Sequence, residues 1–543
     1  MSPFESDKKA LNGTAPQGPQ VPEAMPTANR PDPVIISGGM GVHVSCWQMA
    51  RIVALMDGLG VVSGTALDIV HARILQLGDP GGHTRRAFAE LSKRQSTLAE
   101  PLKRLIDNYY IEGGKPADKP YKPVPTWKLN RIKDFSDGTA ALPPQVSEAM
   151  PTTGLSSFWE WERDTQALTI AANFAEVWLA KEGHNGLVGI NFLRKLERPL
   201  PWALYGAMLA GVDYVVVGAG SPPELPGMIA RLSCHEPASL PLKVHGTRSG
   251  SGEFFVLIRP DTLVGPQSGE LKRPRFLAIV SSFALARALA SNPATRPYGF
   301  VVEGPEAGGH NAPPAKMHFN DQGQQVLKYT EHDRADIGAI YKLGLPFWLA
   351  GSYASPEFLR EALDKGAAGI QIGTAAALSG QSGMAPNLRA QALRMAARNE
   401  LVVTDTMISP TGFPFKVAQI PGTISDKAVY QGRKRVCDIR LLQANYVTPE
   451  GDLGYRCPAE PVEDFTSKGG RLQNTAGRVC LCNGLLATAG FAQIRAGGYV
   501  EPPIVTLGED FHAVRELLAL SPPGQETYTI GKLILFLRGR DRN

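Results

Sequence analysis

No run of about 18 apolar residues occurs anywhere in the 543-residue chain, so a membrane-crossing helix is not expected. Cysteine is scarce. Six in so long a chain do not make a disulfide framework, and a reducing, cytoplasmic location fits. Charge imbalance is also small, at +5 from 56 basic and 51 acidic residues. With no dense Lys/Arg run and no basic stripe interleaved with aromatics, nucleic acid is not an expected partner. Residues 1–30 are polar and rich in Pro, Asn and Gln. They lack the apolar core of a signal peptide and read as a tail.

The chain is rich in glycine (57) and proline (44), and too long for one ordinary core. Short β-branched runs that stop at glycine alternate with helical patterns. Pro33–Gly41, Gly60–Gly64, Leu187–Leu193 and Tyr214–Gly220 read as four strands. Phe276–Ser281, Phe300–Glu303, Phe347–Ser352 and Gly369–Thr374 read as four more. Helices are expected between them, for example over Cys46–Met56, Trp202–Leu209 and Pro356–Lys365. Eight βα units predict an α/β fold of (β/α)8 barrel type rather than an open sheet. The expected division is a barrel over 31–433, with inserted caps at about 65–186 and 237–272. A C-terminal subdomain and tail follow over 434–543. Right-handed crossovers put every strand-end glycine at one mouth. The last two strands, ending Gly351-Ser352 and Gly373-Thr374, are where such barrels hold a phosphate.

One stretch concentrates chemistry. Phe300-Val301-Val302 reads as a buried strand and breaks into Glu303, Glu306, Gly308-Gly309 and His310. Paired glycines let a backbone approach a ligand closely. A histidine just beyond them can exchange protons near neutral pH. The competing reading is a glycine turn with a surface histidine. His43 and His83 are rival proton-handling candidates, since each follows a glycine loop. Cys437, Cys457, Cys480 and Cys482 fall in one late segment. Four thiolates can close a zinc or iron–sulfur site. The spacing is not that of a zinc ribbon, so packed free cysteines or a disulfide stay open and no metal ligand is assigned. Cys46 and Cys234 read as core.

Taken in order, Val34–Gly41, Gly58–Gly64, Asn191, Glu303–His310, Leu349–Ser352 and Gly369–Thr374 resemble the nitronate monooxygenase (2-nitropropane dioxygenase) family, which includes FMN-dependent enoyl-acyl-carrier-protein reductases. The resemblance covers Pro33–Ala375. It continues into Ser409–Val417, similar to a late Gly-x-Pro-x-Arg segment with Lys416 in place of Arg. It implies a TIM barrel that binds FMN without a covalent link. Gly39, Met40 and Gly41 would line the ring system and Asn191 would hydrogen-bond it. Gly308, Gly309, Gly351, Gly373 and Thr374 would hold the phosphate. Glu303, Ser352 and Gln371 join the cofactor-binding set, with Gln371 packing or orienting near the site. His310 would be the catalytic base or proton donor.

The resemblance implies oxidation of a nitronate or similar carbon acid with O2. A second expectation is an NAD(P)H-dependent enoyl-thioester reductase of fatty acid or polyketide biosynthesis, with NAD(P)H as reductant and the insertions receiving an acyl carrier. The family uses no dinucleotide fingerprint, so the absence of one here decides nothing. A third is a non-catalytic flavin-binding assembly subunit. A small-molecule or carrier-bound acyl substrate and a homo-oligomer are the expected partners. The departure is Asn311-Ala312-Pro313-Pro314 after His310, where the substrate-side loop leaves the family pattern.

Overall fold

The structure is a computed structural model. It describes residues 31–124, 128–132, 157–246, 254–265, 267, 269–316, 318–319, 325–522 and 524–540. The expected tail at 1–30 lies outside the described residues.

Eight parallel strands close into a barrel. They are β1 (Ile35–Ser37), β2 (Leu59–Ser63), β3 (Leu187–Leu193), β4 (Tyr214–Gly218), β5 (Arg275–Val280), β6 (Gly299–Glu303), β7 (Phe347–Ala350) and β8 (Gly369–Ile372). Each pairs with its neighbour in sequence, and β8 closes on β1 through Ile35 opposite Ile370. The fold class read from the glycine-ended strands is therefore present, with all eight strands where the pattern put them.

Strand alternation sorts the side chains into two cores. Ile36, Val61, Tyr214, Val216, Leu277, Val301 and Trp348 point inward and fill the lumen. Ile35, Val62, Ile190, Val217, Phe300, Val302 and Ile372 point outward against the helices. Trp348 donates its indole N–H to the Pro33 carbonyl at 2.6 Å. At the base, Asp32 accepts from Tyr298 (2.8 Å), Tyr214 (3.1 Å) and Arg275 (3.0 Å).

After β1 comes α1 (Trp47–Leu55), and after β2 come α2 (Leu67–Gln76), α3 (His83–Arg94), α4 (Ala99–Tyr109) and α5 (Arg163–Lys181). α2 falls in the stretch that the sequence assigns to the inserted cap at about 65–186. Its apolar residues are interrupted by Asp68, His71 and Arg73, all buried by tertiary contacts rather than exposed. α5 is buried around most of its circumference, being sandwiched between the barrel side and α1 to α4.

The two insertions meet in one sheet, where Ser157–Glu160 runs parallel to Phe254–Ile258, flanked by Asn130–Arg131 and Ala238–Pro241. A late hairpin, Ala444–Val447 with Leu453–Arg456, adds to Val244–His245. Helices His512–Ala519 and Ile530–Leu537 return to the barrel, and buried Tyr528 donates to the Ala375 carbonyl at 2.6 Å. No helix among the described residues is long and apolar enough to cross a membrane.

Candidate active site

The mouth at the carboxyl ends of the strands opens on one cavity, and every site residue named from sequence lines it. Its floor is the last inward layer of the barrel. Below it the lumen is apolar, but at this level β3, β6 and β8 present Asn191, Glu303 and Gln371. Alternation requires this, because Val301 and Glu303 share a face, as do Gly189 and Asn191.

These three polar groups are differently prepared. Asn191 is buried and donates Nδ2 to the Val216 carbonyl (2.9 Å) and the Phe192 carbonyl (3.5 Å). That leaves Oδ1, an acceptor, for a ligand. Gln371 Oε1 is buried with no hydrogen-bond partner among the described residues. Glu303 forms no ion pair or side-chain hydrogen bond among the described residues, and burial raises its carboxyl pKa to about 7.

Glycines shape the wall. A Cβ on Gly39 would come within 2.2 Å of Asn191 Cβ, so the β1 loop can lie over Asn191 only as glycine. Gly41 and Met40 continue that wall, held by Ser45 Oγ, which accepts from Met40 N (2.9 Å) and donates to the Gly38 carbonyl (2.7 Å). Gly351 (φ 91°) and Ser352 (φ 60°) form a left-handed turn after β7. A Cβ at Gly309 would meet nothing within 4 Å, and one at Gly373 only Met40 Sδ at 3.9 Å. Both are open positions facing the cavity, a cradle that side chains would fill. Beyond Gly373, the first helical bond runs from Ala377 N to Gly373 O (2.9 Å), so the N–H groups of Thr374, Ala375 and Ala376 are left without helical partners.

Of two expected phosphate donors, Gly309 has another partner and Gly308 is packed against backbone. Gly309 N–H donates to Thr506 Oγ1 (2.8 Å). A Cβ on Gly308 would strike the Leu507 carbonyl carbon at 2.7 Å, so its glycine is required by backbone packing. Gly508 N in turn donates to Thr374 Oγ1 (2.8 Å), leaving the threonine hydroxyl proton free to donate elsewhere. The segment Thr506–Gly508 thus ties the β6 and β8 loops together from 197 and 134 residues away in sequence. The sequence reading did not find it, and nothing local signals it. It likewise missed Ser409 and Phe415, although the Ser409–Val417 segment was noted.

His310 is half-buried, not a surface residue. Its ring meets Phe415 edge-on at 4.8 Å, and Nε2 lies 2.7 Å from Ser409 Oγ. Ser409 Oγ accepts from Thr411 N (3.3 Å) and lies 2.8 Å from Thr411 Oγ1. In one of the two arrangements that satisfy these bonds, Nε2–H donates to Ser409 and Ser409 donates to Thr411, and Nδ1 is the basic nitrogen. Burial, and then the Lys195 ammonium, lower the His310 pKa to about 3, so the free site holds a neutral imidazole. Behind it, fully buried Lys416 pairs with Asp405 (2.8 Å) and Glu509 and donates its backbone N–H to the Gly309 carbonyl (2.9 Å), fixing the loop.

The rival histidines are turned elsewhere. His43 Nδ1 and His71 Nε2 each lie 3.4 Å from Glu176 Oε1 on α5, and His83 packs on Trp47 at 5.0 Å. All six cysteines are free thiols. The Cys457 thiol is held above its ordinary range chiefly by neighbouring Cys437, and the Cys480 thiol below it chiefly by Cys482, which reaches the cavity wall. No group of three or more His, Cys, Asp or Glu among the described residues is arranged to hold a metal ion.

No family model matches the chain, and no curated protein matches it. Among solved structures it is similar to FabK from Thermotoga maritima, at 13% identity and TM-score 0.43 over 94% of this chain and 93% of that one. It is also similar to nitroalkane oxidase from Streptomyces ansochromogenes, at 14% identity and TM-score 0.38 over 95% and 96%. A third likeness is the enoyl reductase domain of MlnA from the macrolactin biosynthesis cluster of Bacillus amyloliquefaciens, at 12% identity and TM-score 0.37 over 76% and 93%. The barrel stands on its own strand register and not on these likenesses.

Proposed function

We propose that the chain is an FMN-dependent oxidoreductase of nitronate monooxygenase type, oxidising a nitronate or similar carbon acid with O2. The observation that carries this reading is the build of the cavity. A floor of one free acceptor (Asn191), one orphaned amide (Gln371) and one carboxyl poised near neutrality (Glu303) lies beneath a rim opened by Gly309 and Gly373. Such a set suits a flat, hydrogen-bonding ring below and a phosphate above. Asn191 Oδ1 would accept from a ring N–H. The N–H groups of Thr374 to Ala376, with the Thr374 hydroxyl, would hold the phosphate in place of Gly308 and Gly309.

When bound, FMN supplies the electron transfer that none of these side chains can perform. The chain's own residues do the rest. With Nε2–H on Ser409, His310 Nδ1 would be the neutral acceptor for a proton taken from carbon, and Phe415 holds the plane of the ring. A base with pKa near 3 holds that proton only beside a developing negative charge, which suits a carbon acid that becomes an oxyanion.

The test is anaerobic addition of NADH or NADPH to the purified yellow protein. Persistence of the flavin colour, with turnover of a nitronate in air, is the expected result. Rapid bleaching would instead favour the enoyl-thioester reductase expectation, and protein that takes up no FMN would end both. A variant checks the rim. In Gly373→Leu the Cβ has room, but the side chain enters the cavity. Unfolding temperature should be little changed, while FMN affinity drops at least about tenfold, roughly 1.4 kcal/mol. Wild-type FMN affinity in this variant would remove Gly373 from the phosphate cradle.

A further inference from the structure

One wall of the cavity has no polar duty in the site described so far. It is built by two segments late in the chain. Leu481 and Leu485 lie one turn apart on the helix Leu481–Thr488, and Leu441 and Leu442 lie on the loop before the late hairpin. Leu193 and Leu196, in the turn after β3, also line the cavity and belong to the same apolar cluster as Leu441, Leu442 and Leu485. Leu442 and Leu485 are only half-buried, so part of each side chain is left open at the cavity.

This wall is fixed by its own packing. A Cβ on Gly484 would come within 2.3 Å of Ile504 Cδ1, so the helix seats directly on that side chain. Thr488 Oγ1 donates to the Ile504 carbonyl (2.7 Å), and the Thr488 carbonyl accepts from the Ala385 N–H (2.8 Å). Asn483 Nδ2 donates to Asp438 Oδ1 (2.7 Å), and buried Arg198 donates to the Arg440 carbonyl (2.6 Å). These two bonds hold the loop that carries Leu441 and Leu442.

The wall adjoins the proposed base. Phe415, whose ring meets His310 edge-on, shares a cluster with Leu481, and Leu442 and Leu485 pack against that cluster. Charge points the same way. Among the described residues the charged side chains lining the cavity are Glu303, Glu306 and Asp510, all acidic, and no Lys or Arg lines it. A second carboxylate on a substrate would find no cation there and would meet like charge.

We infer that the leucine wall is an alkyl subsite, with Leu442 and Leu485 as its specificity-determining residues. The ligand class is a carbon acid whose reacting carbon bears an alkyl chain with no further charge. Calling that carbon acid a nitronate or its parent rests on the oxidoreductase reading, whereas the subsite itself does not. Each methylene moved from water onto such a surface should strengthen binding about three- to fourfold.

The test pairs equilibrium binding with turnover. Calorimetry of the purified full chain with the straight-chain primary alcohols from butanol to octanol reads the wall without any reaction. Affinity should rise about three- to fourfold per methylene in wild type. In Leu485→Gln, octanol affinity should fall at least about tenfold while butanol affinity changes little. In turnover, the nitronate of nitrohexane should exceed that of nitroethane in kcat/KM by at least about tenfold, and the ratio should collapse in Leu485→Gln. The nitronate of nitropropionate, which carries a carboxylate, should be at least about tenfold poorer than that of nitrobutane. Alcohol affinity independent of chain length in wild type would overturn the inference, and so would a length dependence unchanged in both Leu485→Gln and Leu442→Gln. A length dependence lost in these variants, with no nitronate turned over, would keep the alkyl subsite and end the nitronate reading alone. Should Leu485→Gln fail to fold, Leu442→Gln on the loop gives the same comparison.

Discussion

His310→Ala should keep its FMN and lose turnover of a neutral carbon acid by about 10²–10⁴-fold, the usual contribution of a positioned general base. The ring touches Ser409 and Phe415 and lies more than 4 Å from the open position at Gly373, so cofactor uptake is not expected to change. The substrate's own charge state sharpens the expectation. A preformed nitronate needs no proton removed, so its turnover should fall far less than that of the parent nitroalkane. The imidazole, with its pKa depressed to about 3, should contribute no ionisation to the rate between pH 5 and 8. Steady-state kinetics on both forms of one compound checks this. Equal losses on nitroalkane and nitronate would remove His310 as the proton acceptor, and no loss on either would remove it from the reaction.

The second large effect concerns Glu303, and it is read in stability without any substrate. Its folded pKa, about 7, lies above the ordinary 4.5 because burial disfavours the carboxylate. The folded protein therefore binds more protons than the unfolded chain between those two values. Stability falls as pH rises from 4.5 through 7, and the loss is complete above 7. Glu303→Gln removes the buried charge at nearly constant shape. Flavin-free protein carrying it should be about 2 kcal/mol more stable than wild type at pH 8, allowing for the partial exposure of the carboxyl, and nearly equal to it at pH 4.5. Urea unfolding at the two pH values decides the matter. The same gain at both would mean that the carboxyl is not desolvated in the cavity. In the active protein a kinetic ionisation near 7 should vanish with the same substitution, since His310 does not titrate there.

Much of this site was legible because parallel strands speak plainly when they break their own pattern. Strands buried on both faces read as continuous apolar runs, so a polar residue inside one stands out. Glu303 is such a residue; Asn191 and Gln371 also interrupt apolar runs, though the family resemblance is what singled them out, and alternation sends all three into the lumen at its last layer. Glycines were legible for a related reason. Gly39 must be glycine because Asn191 lies where its Cβ would be, and Gly351 because of its left-handed turn.

What could not be read lies in long-range contacts. Helix α2 has buried polar groups where an amphipathic pattern would have apolar residues, and partners distant in sequence receive two of them, Glu176 on α5 facing His71 and the Phe491 carbonyl accepting from Arg73. Gly308 and Gly309 look from sequence like phosphate ligands. The segment Thr506–Gly508 takes the Gly309 donor and the Gly308 surface, and no local spacing announces that. The same holds for Ser409, which holds His310 Nε2 from 99 residues away.

By itself the sequence determined the barrel and the identity of its mouth, because periodicity and strand-end glycines are local properties of the chain. Only the tertiary structure decided the state of the groups gathered there. A neutral His310 and a carboxyl at Glu303 poised near pH 7 both arise from burial among groups brought together by folding, and desolvation has no signature in a linear string.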